Sequence, residues 1–125
     1  VLMNETYNKT FMKYFHQRTQ SGIIESADLK SEVTNPICGD ELQLFINIKK
    51  NNAVIDAKFL TSGCASTIAI AAYGTEYIIG KSMNEIKTIS TSELKEGIGG
   101  LPANKNHAAA LFIEAIKKLQ IAKMK

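Results

Sequence analysis

Cysteine is scarce in this 125-residue chain: Cys38 and Cys64 stand alone, each beside a glycine, and no CxxC pair occurs. Two thiols cannot make the dense disulfide framework of a small secreted scaffold, so they read as reduced cysteines of an intracellular protein. Long apolar runs are also missing. Stretches such as Ile68 to Ala72 fall far below the ~20 residues that a membrane-spanning helix needs, and no signal-peptide pattern opens at Val1. No membrane partner is expected, and the cytoplasm is the expected location, or an organelle matrix if the source is eukaryotic. Nor is there much charge of one sign. The net charge is +3, with a weak C-terminal bias in Lys117, Lys118, Lys123 and Lys125. A nucleic-acid surface concentrates basic residues, so no nucleic-acid partner is expected. Nothing marks a linker, and 45% hydrophobic content over this length suits a moderate core. Residues 1–125 are expected to form a single domain.

Periodicity then divides the chain. Tyr7, Phe11 and Tyr14/Phe15 recur at helical spacing within residues 4–18, with His16 in the last turn, where a partial positive charge suits the helix dipole. A short strand is expected near Asp28 to Thr34, and Asn35-Pro36 breaks it. Leu42, Leu44, Ile46 and Ile48 alternate with polar residues, only Phe45 being out of step. After a turn at Lys50-Asn51-Asn52, Ile55, Ala57 and Phe59 alternate with Val54, Asp56 and Lys58, which predicts the returning strand of a hairpin. From Ala65 to Ile79 the chain is apolar nearly all round, as a buried helix would be, and Gly80 is a suitable stop. Ser82-Met83-Asn84-Glu85 and Ser90-Thr91-Ser92-Glu93 have capping-box spacing and predict two short helices. A last, long helix is expected from near Lys105 to about Lys123. Strands early and helices late give an α+β fold: a small antiparallel three-stranded sheet with helices packed on one face.

The residues able to do chemistry sit at three junctions. Cys38-Gly39-Asp40 precedes the first clear strand, Gly63-Cys64 lies between the returning strand and the buried helix, and His107 opens the last helix. Two thiolates, an imidazole and a carboxylate have the number and softness of donors that tetrahedral zinc or an iron-sulfur cluster requires. At a helix N-terminus, Cys64 would be favoured as thiolate by the exposed backbone N–H groups. Gly39 and Gly63 would leave room for a bulky inorganic group. Each residue also has an ordinary alternative, a small buried cysteine or a capping histidine. A nucleophilic Cys64–His107 pair is a rival arrangement, but no other feature supports acyl transfer, and no enzyme activity is expected.

Together, N-P-I-C-G-D at 35–40, S-G-C-A-S at 62–66 and L-P-A-N-K-N-H at 101–107 resemble the U-type iron-sulfur cluster assembly scaffolds, the IscU and NifU N-terminal family. The resemblance runs from about Tyr7 into the last helix. It implies a scaffold or carrier that holds a labile 2Fe-2S cluster, or zinc in the cluster-free form, on Cys38, Asp40, Cys64 and His107. Asp40 is similar to the family aspartate linked to cluster release. Leu101, Pro102 and Lys105 resemble the Leu-Pro-x-x-Lys segment that an Hsp70-type chaperone recognises in some members. The implied partners are a cysteine desulfurase, that chaperone with its co-chaperone, and apo iron-sulfur proteins, the chain itself being a monomer or homo-oligomer. The combination favours the IscU-like branch over SufU-like zinc-dependent sulfur acceptors, which carry a basic residue where His107 stands. One departure matters: the family continues His-Cys, whereas Ala108 follows His107 here. The missing cysteine is in the family both a ligand and the main sulfur acceptor, so a second reading stays open. In that reading the chain is a non-assembling zinc-binding or apo paralogue that docks on the desulfurase or chaperone.

Overall fold

The alternation of Leu42, Leu44 and Ile46 organises the sheet. In the computed structural model, which describes residues 8–18, 20–37, 39–102 and 105–121, these side chains are buried on one face of strand β2 (Glu41–Ile48). β2 pairs antiparallel with β1 (Leu29–Thr34) on one side and with β3 (Val54–Ser62) on the other. Register brings Val33 opposite Leu42, Phe59 opposite Leu44 and Ala57 opposite Ile46, so all six side chains meet on the core face. Phe45 is buried on the opposite face, where the Lys30 ammonium lies 5.9 Å from its ring centroid. An aliphatic stem can cover an aromatic ring while its charge stays in water, which is how an apolar residue sits out of step.

Two expectations need correction here. Val54, not Ile55, points into the core, and Ile55 is exposed. The cause is a β-bulge: Asn47 pairs with Asp56 but Ile48 pairs with Val54, so Ile55 is the extra residue. The sheet also has four strands rather than three, in the order β3-β2-β1-β4. The last helix ends at Lys117, and Gln120–Ile121 forms β4, pairing antiparallel with Lys30 and Leu29. The open edge of β1 offers the chain backbone hydrogen bonds that end the helix earlier than its apolar period suggests. Ala122 and Lys123, expected in that helix, lie outside the described residues.

The helices cover the core face. α1 (Lys9–Gln17) starts at Asn8, whose side chain accepts a hydrogen bond from the Phe11 N–H at 2.9 Å; Tyr7 lies outside the described residues. α2 (Ala65–Ile78) is buried on most of its circumference, packed against α1, β3 and the last helix. Two short helices follow, α3 (Met83–Ile86) and α4 (Thr91–Gly97), capped by Ser82 and Ser90. In α3 the box is reciprocal; in α4 the Glu93 carboxylate accepts the Tyr77 hydroxyl. α5 (His107–Lys117) lies across β1 and β2, and the Ser31 hydroxyl donates to the Ala115 carbonyl at 2.7 Å. Where α2 and α5 meet, a Cβ at Gly74 would lie 2.6 Å from the Phe112 ring. Glycine therefore sets the approach that brings the N-termini of both helices to the same end of the sheet as the β1–β2 connection.

Candidate metal centre

Three chain junctions converge at that end. The β1–β2 connection is closed by backbone bonds from Gly39 N–H to the Asn35 carbonyl (2.7 Å) and from Asn35 N–H to the Asp40 carbonyl (2.8 Å). The Asn35 side chain accepts the Ile37 N–H at 2.9 Å, an Asx turn that Pro36 fits. Gly39 has φ +80, a left-handed conformation that costs glycine little. Asp40 is thereby fixed just before β2, with 6% of its surface exposed.

Cys64 comes from the far end of β3. One step beyond the Glu41–Ser62 pair, Asp40 faces Gly63, and a Cβ at Gly63 would stand 2.8 Å from the Asp40 carboxyl carbon and 3.1 Å from both its oxygens. The space expected for an inorganic group at Gly63 is thus filled by the Asp40 carboxylate. At Gly39 a Cβ would meet nothing within 4 Å, so that glycine serves the turn. Cys64 is the N-cap of α2 with extended backbone (φ −77, ψ 172), and its side chain makes no capping bond. The thiol of this half-buried residue faces the Thr67 hydroxyl and the His107 ring instead.

His107 is the first residue of α5, and its ring does not cap the helix. Its Nε2 lies 3.6 Å from Asp40 Oδ2 and 4.0 Å from Cys64 Sγ. The ligand atoms of Asp40, Cys64 and His107 all lie within 4.8 Å of one another. Donors bound to one tetrahedral ion at about 2.0–2.3 Å stand roughly 3.3–3.7 Å apart. The trio therefore already has nearly ligating spacing, with one soft, one borderline and one hard donor, and it fits zinc or an iron of a cluster.

The structure brings together three of the four residues expected as ligands; Cys38 lies outside the described residues. Leu101, half-buried, packs against the core, and the Lys105 N–H donates to the Pro102 carbonyl at 2.9 Å. Ala103 and Asn104 of the same segment lie outside the described residues. His16 is exposed in the last turn of α1, its ring 5.1 Å from that of Phe15, and takes no part in the trio. Ala108 is 1% exposed and belongs to the core, so it contributes a methyl group and no donor. Among the described residues no helix is long and apolar enough to cross a membrane.

One residue at the site was missed by sequence reasoning. Thr67, 1% exposed, donates its hydroxyl to Asp40 Oδ2 at 2.5 Å, and its own Oγ1 lies 3.6 Å from Cys64 Sγ. The available signal was its spacing: three residues after Cys64, it returns to the same face of the first helical turn.

Comparison with known proteins gives a consistent result. Residues 6–123 match the family described as NifU-like N terminal domain. The iron-sulfur cluster assembly scaffold protein IscU 1 of Archaeoglobus fulgidus is 36% identical over 112 residues, 90% of this chain and 72% of that protein. A Drosophila melanogaster relative, named iron-sulfur cluster assembly enzyme IscU, is 31% identical over 114 residues, 89% of this chain and 73% of its own. In structure, a Fervidobacterium islandicum protein described as an iron-sulfur cluster assembly scaffold for the SUF system superposes with a TM-score of 0.72. The two are 23% identical, and the match covers 91% of this chain and 96% of that one. At that identity the likeness speaks for the α+β fold.

Proposed function

The chain belongs to the NifU-like N terminal domain family, and on that premise we propose that it is an iron-sulfur cluster assembly scaffold or carrier, a single domain that holds a transient 2Fe-2S cluster as cargo. The observation that carries this reading is the convergence of Asp40, Cys64 and His107 from three separate junctions. Cys38, two residues before Asp40, is the proposed fourth donor. With four such donors a cluster has two ligands per iron, and only two of the four are thiolates. Replacing thiolate by neutral or harder donors raises the reduction potential and weakens retention. Weak retention suits delivery to apo-proteins better than electron transfer, and no catalytic turnover by side chains is needed.

The partners follow from the same reading. A cysteine desulfurase would supply sulfur, and an Hsp70-type chaperone with its co-chaperone would engage Leu101, Pro102 and Lys105. Anaerobic reconstitution with ferrous iron and sulfide is the test. Visible charge-transfer absorption with iron and sulfide bound near stoichiometry, followed by transfer to an apo-ferredoxin, is the expected result; colourless protein with no bound iron refutes it. Ala108 favours one alternative, a zinc-binding or apo paralogue that docks on the desulfurase or chaperone without assembling clusters. Protein that binds zinc tightly on the same residues and never acquires sulfide would establish it.

A further inference from the structure

Resting on the metal-site reading above, we propose that Thr67 is a positioning residue for that site, holding Asp40 in ligating orientation through its hydroxyl. Asp40 is a nearly buried carboxylate, and burial of such a group is costly unless it is hydrogen-bonded. Thr67 supplies a 2.5 Å charge-assisted bond from the first turn of α2, the turn that also carries Cys64. Two ligands from different elements are thereby tied to one rigid segment. The β-branched side chain has few χ1 rotamers in a helix, and the bond to Asp40 selects among them.

The hydroxyl has a single proton. While it is donated to Asp40 Oδ2, Thr67 Oγ1 can only accept from the Cys64 thiol, 3.6 Å away. A chain Sγ–H···Oγ1–H···Oδ2 results, with each group satisfied in one direction. The Thr67 to Asp40 bond does not depend on the state of the thiol, and it orients the carboxylate with His107 Nε2 facing the same oxygen. Outer groups that hydrogen-bond a ligating carboxylate typically change metal affinity by about 10–100-fold when removed.

Titration with Co(II), a spectroscopic substitute for a tetrahedral ion, tests the role in the wild type, Thr67→Val, Thr67→Ser, Asp40→Ala and the Asp40→Ala/Thr67→Val double variant. Thr67→Val should weaken Co(II) binding by about 10–100-fold, while Thr67→Ser, which keeps the hydroxyl, binds close to wild type. In the Asp40→Ala background Thr67→Val should cost nothing further, an outcome that a merely structural role would not produce. Thr67→Val binding as tightly as wild type overturns the inference, and so does an equal loss with and without Asp40. If wild type itself binds no Co(II), the metal-site reading falls and the role falls with it. Should Thr67→Val fail to fold, Thr67→Ala set against Thr67→Ser makes the same comparison.

Discussion

Replacing Gly63 by alanine tests the site with a single methyl group. No left-handed φ is involved at this position, so the backbone accepts alanine, and the obstacle is contact alone. The added Cβ would stand 2.8 Å from the Asp40 carboxyl carbon. Ordinary carbon–carbon contact begins near 3.5 Å, so the two groups must separate by roughly 0.7 Å. Either the carboxylate shifts and loses part of the Thr67 bond, a charge-assisted bond of about 1.5–3 kcal/mol, or the surroundings strain by about 1–3 kcal/mol. Both routes give a loss of the same order, which lowers the melting temperature of a chain this long by about 3–5 °C per kcal/mol. Thermal unfolding followed by circular dichroism measures it, and Co(II) titration should show a parallel loss of affinity. The three atoms nearest the new Cβ all belong to Asp40, so in an Asp40→Ala background the same glycine replacement should be nearly free. An alanine at 63 that melts like wild type, or that costs as much without the carboxylate, refutes the reasoning.

Other consequences are equally open to measurement. An Ala108→Cys variant adds a third thiol directly after His107, and more iron and sulfide retained per chain after reconstitution is expected; an unchanged yield would show that position 108 does not limit assembly. Hydrogen bonding to Glu93, followed by burial, pushes Tyr77 up to about 12, and burial followed by hydrogen bonding to Glu76 pushes Tyr14 up to about 12. Both pKa values are raised on folding, so the stability they contribute is complete below pH 10 and lost as pH rises from there through 12. A Glu93→Gln variant titrated by tyrosinate absorbance should ionise Tyr77 earlier. Deleting Ile55, the extra residue of the bulge, should leave the Asn47–Asp56 pair and everything beyond it in place, so Co(II) binding survives; loss of binding would show that the bulge itself is needed.

Much of the fold was readable because local signals agreed with one another. The hairpin alternation, the apolar α2 segment and the two serine caps each point the same way in sequence and in space. The errors lie where a long-range partner decides. Ile55 and Val54 are adjacent apolar residues, and only pairing with Ile48 selects which of them turns inward. Leu119 continues the helical period of α5, yet the free edge of β1 draws Gln120 and Ile121 into the sheet. At the site, Asp40, Cys64 and His107 were legible as chemistry in matching motifs. Thr67 and the role of Gly63 were not, because each acts on Asp40 from more than twenty positions away.

That dependence on register makes the hairpin part of the candidate metal site. Side chains alternate faces along a strand, so a slip of one residue reverses every side chain on it. Had the Ile48–Val54 pairing run on without a bulge, Asp40 would stand opposite Ser62, and a side chain would occupy the place of its carboxylate. The bulge advances β3 by one residue before the ladder reaches the site. Asp40 then meets Gly63, with no side chain to displace it, and Cys64 follows directly as the N-cap of α2. An irregularity at the turn end of the hairpin therefore determines which atoms face each other at the ligand end, and the alternation of apolar residues, which builds the sheet, cannot by itself place the donors.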